Sequence, residues 1–191
     1  MNEVELIRNQ LALERAHVGA VATACANAMQ GDAGADAGAF VTGESLGQFR
    51  RACVEYLACV LAWFEERDQR LTDLLQTGFP PTDPTRGALE EALGRRGRGR
   101  EALAMLEAAC AGTTVPGSAG RQGWREFAEY FDGVWSTRRD ALDALLATNS
   151  RAADWRTFGG IDADSILEER RRYAQVCAQV PPGMTLGAQP R

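Results

Sequence analysis

Apolar residues recur at alternating steps of three and four along several long segments of this 191-residue chain. That spacing closes on one face of an α-helix and on no face of a strand, so the chain is constrained to fold from helices. In the first segment, residues 3–29, the stripe is Val4, Ile7, Leu11, Val18, Val21 and Cys25. In the second, residues 44–76, it is Leu46, Phe49, Cys53, Tyr56, Val60, Phe64, Leu71 and Leu74. A third region, 86–111, is interrupted at Gly94-Arg95-Arg96-Gly97-Arg98-Gly99-Arg100. Each glycine there costs roughly 1 kcal/mol against alanine in a helix interior, which predicts a break. A fourth segment, 124–147, carries Phe127, Phe131, Val134, Leu142 and Leu145 on one face. A final helix is predicted to start with Ser165 as N-cap, with Glu168 three residues later in capping-box spacing. It runs to about residue 180, where Pro181-Pro182 stop it.

The segments 31–43, 78–84, 112–123 and 149–160 are rich in Gly, Pro, Ala, Ser or Asp and read as connections. Neighbouring helices joined this way alternate in direction, so the predicted class is all-α: an antiparallel four-helix bundle with an additional C-terminal helix. Residues 1–148 form the bundle, 149–180 a C-terminal helical extension packed on it, and 181–191 a tail without order. Nothing in the sequence reads as a strand.

Hydrophobic residues make up 45% of the chain and charged residues 25%, enough apolar material for a core. The formal net charge of -5 argues against a general nucleic-acid binder, which needs a basic footprint. No apolar run approaches the roughly 20 residues of a membrane span. The start, MNEVELIRNQ, lacks the apolar centre of a signal peptide. The five cysteines form no CxxC pair and sit inside helical patterns, which suits reduced thiols in a cytoplasmic protein. Apart from one histidine every basic residue is arginine, a bias that fits a GC-rich bacterial genome.

Three of the stripes have a charged residue where a hydrophobe belongs: Glu14, Arg67 and Arg138. With His17 they are candidates for an interior charge network, because guanidinium and carboxylate satisfy each other's hydrogen-bonding groups. The plain alternative is that the stripes rotate and the charges reach water. Glu14-Arg15-Ala16-His17 also places carboxylate and imidazole on one helical face, as metal-binding bundles require. Iron or another divalent metal at Glu14 and His17 is therefore the alternative cofactor. A lone histidine cannot supply the imidazoles of a histidine-rich centre, so the expectation is no metal, no other cofactor and no catalytic residue.

Helices two and four repeat each other without gaps. Tyr56, Val60, Phe64, Arg67, Leu71, Leu74 and Leu75 align at a constant offset with Phe127, Phe131, Trp135, Arg138, Leu142, Leu145 and Leu146. Tyr56, Phe64, Phe131 and Trp135 are candidates to line a cavity for an apolar or planar ligand; ordinary core packing is the alternative. The basic segment Arg95 to Arg100 has no interleaved aromatic to stack on bases, and reads as a solvated helix break rather than a phosphate or RNA site.

The length, the four helices, the repeat of helices two and four, and His17 early in helix one resemble the hemerythrin-like (HHE) bundle proteins over about residues 3–147. That family carries a His-x-x-x-Glu feature in its second and fourth helices. The corresponding stretches here read Leu61-x-x-x-Glu65 and Asp132-x-x-x-Ser136, without histidine. The resemblance thus implies a relative that has lost the di-iron, oxygen-binding centre, and the family's activity is not carried over. The expected role is non-catalytic, in binding or assembly, with a homodimer or another protein as partner and neither nucleic acid nor membrane. A second expectation is a small-molecule-binding or sensing protein with an aromatic-lined interior; a third is a carboxylate-rich metal-binding or oxidoreductase bundle.

Overall fold

In the computed structural model the described residues are 3–30, 43–78, 163–186, the run 124–129, and isolated positions between 80 and 122. They are helical nearly throughout, with no strand among them. Helix α1 spans Glu3–Gln30, 28 residues and about 42 Å long at 1.5 Å per residue. Helix α2 spans Gly43–Gly78, 36 residues and about 54 Å. Helix α3 spans Ala163–Ala178, 16 residues and about 24 Å. Described positions at 84–108 and at 122–129 are helical as well.

Each helix forms where the apolar spacing places it. Alanine, the strongest helix former, fills much of α1. Glu44 stands in the first turn of α2, where its charge complements the exposed backbone N–H groups. The run ending in Gly78, just ahead of the prolines, stops it. α3 begins two residues before the predicted N-cap, so Ser165 lies within its first turn instead of preceding it. Glu168 accordingly does not serve a capping box. It accepts hydrogen bonds from Arg171 and Arg172 on its own helix.

The three helices touch one another pairwise. Val18, Val21, Ala24, Cys25, Ala28 and Met29 of α1 meet Phe49, Cys53, Val54, Tyr56, Leu57 and Val60 of α2, with Tyr173 and Val176 of α3 completing the cluster. Leu103 and Phe127 join the same core from the regions between. Small residues on α1 let the α2 aromatics approach closely. The end of α1 is finished by its neighbour. Arg50 of α2, almost fully buried, donates from Nε to the Ala28 carbonyl at 3.0 Å. Ala28 lies in the last turn of α1, where carbonyls lack intrahelical partners, and α1 has no basic residue of its own there.

The chain does not leave the fold at residue 181, where the sequence predicts a tail without order. Pro181 is buried, Met184 and Leu186 pack against the core, and Met184 N–H donates to the Pro181 carbonyl at 3.1 Å. Gly183, with φ of 85°, makes the turn that folds this segment back. Apolar side chains after the prolines supply the packing that holds it. The connections 31–42 and 149–160 and the glycine-arginine stretch 94–99 lie outside the described residues.

Candidate functional site

The stripe on α1 carries Glu14 and His17 one turn apart, and both are buried, 1% and 8% exposed. The matching stripe on α3 runs Ile166, Glu169, Tyr173, Val176, and Glu169 is fully buried. The helices bring these two interruptions of apolar faces together. His17 Nδ1 lies 2.9 Å from Glu169 Oε1. The Tyr56 hydroxyl of α2 donates to the same oxygen at 2.6 Å. Tyr173 stacks on the His17 ring, centroids 3.7 Å apart and planes within 8°. The Tyr56 ring leans against Tyr173 at 6.1 Å and 58°, a tilted geometry that aromatic pairs favour. One carboxylate on α3 therefore clamps α1 and α2 simultaneously.

A buried carboxylate costs several kcal/mol unless it is paired and hydrogen-bonded. Oε1 of Glu169 meets that requirement with two short bonds. Oε2 is buried too and accepts no hydrogen bond from the described residues. The phenol of Tyr56 feels this environment strongly. Burial pushes its pKa far above the ordinary tyrosine value, and the bond to Glu169 and the negative charges of Glu169 and Glu14 push the same way. Folding therefore holds a proton that the unfolded chain releases above about pH 10. Stability from this group is complete below that pH and declines as pH rises past it, by about 1.4 kcal/mol per pH unit for one proton. Alkaline titration of wild type against Tyr56→Phe, followed by circular dichroism, is expected to show a loss above pH 10 that the variant shares only weakly. Equal slopes in the two proteins would refute this account.

A groove of about 420 Å³ opens on the other side of Tyr56, between α2 and α3. Gln48, Arg51, Ala52, Glu55 and Tyr56 line it from α2, at positions i, i+3, i+4, i+7 and i+8 of one face. Arg172, Gln175 and Ala178 line it from α3, and Gln179 from the turn just after that helix. Close by, burial raises the thiol pKa of Cys59, and that of Cys177. A raised pKa keeps a thiol protonated and slow to react, which fits structural roles. Cys25, Cys53, Cys59 and Cys177 are all free thiols.

The predicted site residues divide. Glu14, His17 and Tyr56 lie together in the interior. The side chains of Phe64 and Arg67 lie outside the described residues, as do Phe131, Trp135 and Arg138 altogether. Among the described residues, no group of three or more His, Cys, Asp or Glu side chains is arranged to hold a metal ion. No described helix is long and apolar enough to cross a membrane. Sequence reasoning missed Glu169, Tyr173 and Arg50. A signal for Glu169 was present: it interrupts the α3 stripe as Glu14 interrupts that of α1. It was masked by the run Glu168-Glu169-Arg170-Arg171-Arg172, which reads as a wholly solvated face. Only one member of that run turns inward.

Compared with protein-family models, with curated proteins and with solved structures, the chain matches none.

Proposed function

We propose that this chain is a non-catalytic bacterial binding protein of the cytoplasm, an antiparallel four-helix bundle with an added C-terminal helix. It is hemerythrin-like in layout, with its interior held by a side-chain clamp in place of a metal. The observation that carries this reading is the employment of His17. Its Nδ1 is engaged by the Glu169 carboxylate and one ring face by Tyr173, so the helix-one imidazole joins helices to each other. Such a clamp fixes α3 against α1 and α2, and a fixed α3 gives the polar groove a constant shape. A constant concave surface lined by hydrogen-bonding groups is the usual form of a binding site.

Metal analysis of purified protein tests the reading. The expected content of iron, manganese and zinc is far below one ion per chain, with a melting temperature unmoved by EDTA. Stoichiometric metal that disappears in His17→Ala would overturn it and favour a carboxylate-rich metal centre.

A further inference from the structure

We propose that the groove between α2 and α3 binds a small polar anion, a carboxylate-bearing molecule that also donates a hydrogen bond. This rests on the binding-protein reading and assigns its site and its ligand class.

The groove exists because of two small residues. Ala52 on α2 and Ala178 on α3 line it where longer side chains would close the gap between the helices. Its floor is firm, since Tyr56 is anchored through its hydroxyl to the buried Glu169. Its walls carry unspent hydrogen-bonding capacity. Arg51, Glu55, Gln48, Gln175 and Gln179 make no side-chain hydrogen bond or ion pair with the described residues.

Arg172 is held differently. Its Nε donates to Glu168 Oε1 at 2.6 Å, while Glu168 is gripped from its other side by Arg171 through two bonds of 2.7 Å. Those bonds hold the Glu168 carboxyl down at a pKa of about 2, so it stays ionised and keeps its grip across the neutral range. The bond to Nε steadies the Arg172 guanidinium at the groove wall and leaves its terminal nitrogens for a ligand. Two guanidinium groups, Arg51 on one wall and Arg172 on the other, thus stand against one unspent carboxylate, Glu55. Guanidinium forks match carboxylates in two-point geometry, and a groove with two of them selects an anion. The carboxylate of Glu55 offers acceptors to the groove, so the ligand must bring a donor to it. The three glutamines accept or donate equally and widen the range of polar groups that fit.

Citrate, which has carboxylates and a hydroxyl, is a suitable probe; inorganic phosphate and glycerol serve as anion-only and hydroxyl-only controls. Titration calorimetry of the full chain is expected to show saturable citrate binding that weakens with added sodium chloride. Arg51→Gln and Arg172→Gln are each expected to weaken it about tenfold or more, the usual loss for a charge-assisted bond. Arg125→Gln, at an exposed position of the 124–129 helix, is expected to bind like wild type. Ala52→Phe fills the groove and is expected to abolish binding. Ala178→Leu, at an exposed position on the opposite wall, gives the same test if Ala52→Phe misfolds by circular dichroism. Citrate affinity unchanged by these fillings, or equal in Arg51→Gln and Arg125→Gln, overturns the site. Glycerol binding that Ala52→Phe blocks, with citrate and phosphate silent, overturns the anionic class and leaves the binding-protein reading standing. Metal found at stoichiometry in the same preparation overturns that reading separately.

Discussion

Glu169→Ala is expected to lower the unfolding free energy by about 4 kcal/mol, the scale for leaving two buried hydrogen-bonding groups without their acceptor at about 2 kcal/mol each. The substitution strands two groups at once. His17 loses the acceptor at 2.9 Å and the Tyr56 hydroxyl the one at 2.6 Å, and both residues are buried. Domains of this size hold roughly 5–15 kcal/mol in all, so the variant should lie near the edge of folding at room temperature. Glu169→Gln keeps an oxygen where Oε1 stands and is expected to lose clearly less. Urea denaturation of the three proteins at neutral pH decides it. A Glu169→Ala loss below about 1 kcal/mol, the level of an exposed pair, would mean that the clamp is not an energetic feature of the fold. The double variant with Tyr56→Phe provides a further check, since groups that share one oxygen give losses that do not add.

Phe49→Ala is expected to cost about the same, about 4 kcal/mol, by a different mechanism. Phe49 is fully buried in the cluster shared by α1 and α2, one residue before the arginine that finishes the end of α1. Deleting the ring removes apolar burial and leaves a void among rigid helices, and both terms count against the fold. Phe49→Leu refills most of the space and is expected to recover more than half of the loss. The two predictions differ in pattern as well as in place. Phe49→Ala is expected to lose the same amount at pH 7 and pH 10.5, whereas a change at Glu169 alters the surroundings of Tyr56 and with them the alkaline limb. Parallel pH profiles for both variants would contradict the assignment of that limb to Tyr56.

The division between what was legible in the sequence and what was not reflects which forces act locally. The apolar stripes of α1 and α2 marked their extents to within about two residues, because periodic burial fixes a helix wherever it packs. Val18, Val21, Cys25, Phe49, Cys53, Tyr56 and Val60 are buried as that pattern requires. Glu14 and His17 were found as candidates because each breaks or borders a stripe. Their surroundings were not legible. His17 meets Glu169 across 152 residues of sequence, and no local pattern encodes such a meeting. Arg50 escaped notice because its role, covering the carbonyl of Ala28, depends on two helices lying side by side. The groove escaped for a related reason. Ala52 and Ala178 are unremarkable in a chain rich in alanine, and only their apposition leaves a space. The start of α3 was misplaced because Ser165 and Glu168 have capping-box spacing, yet the helix begins before them.

The clamp also sets an order of events as the protein is made. His17 and Tyr56 belong to helices synthesised early, and the oxygen both depend on lies 113 residues beyond Tyr56. At ribosomal rates of about 5–20 residues per second, that gap lasts roughly 6 to 23 seconds. Throughout it, the nascent pair of helices carries an imidazole and a phenol in its apolar seam without the acceptor that serves both in the finished fold. The seam therefore closes last, when α3 arrives. A chain interrupted before Glu169 leaves the His17 imidazole and the Tyr56 hydroxyl without the oxygen they share in the finished fold.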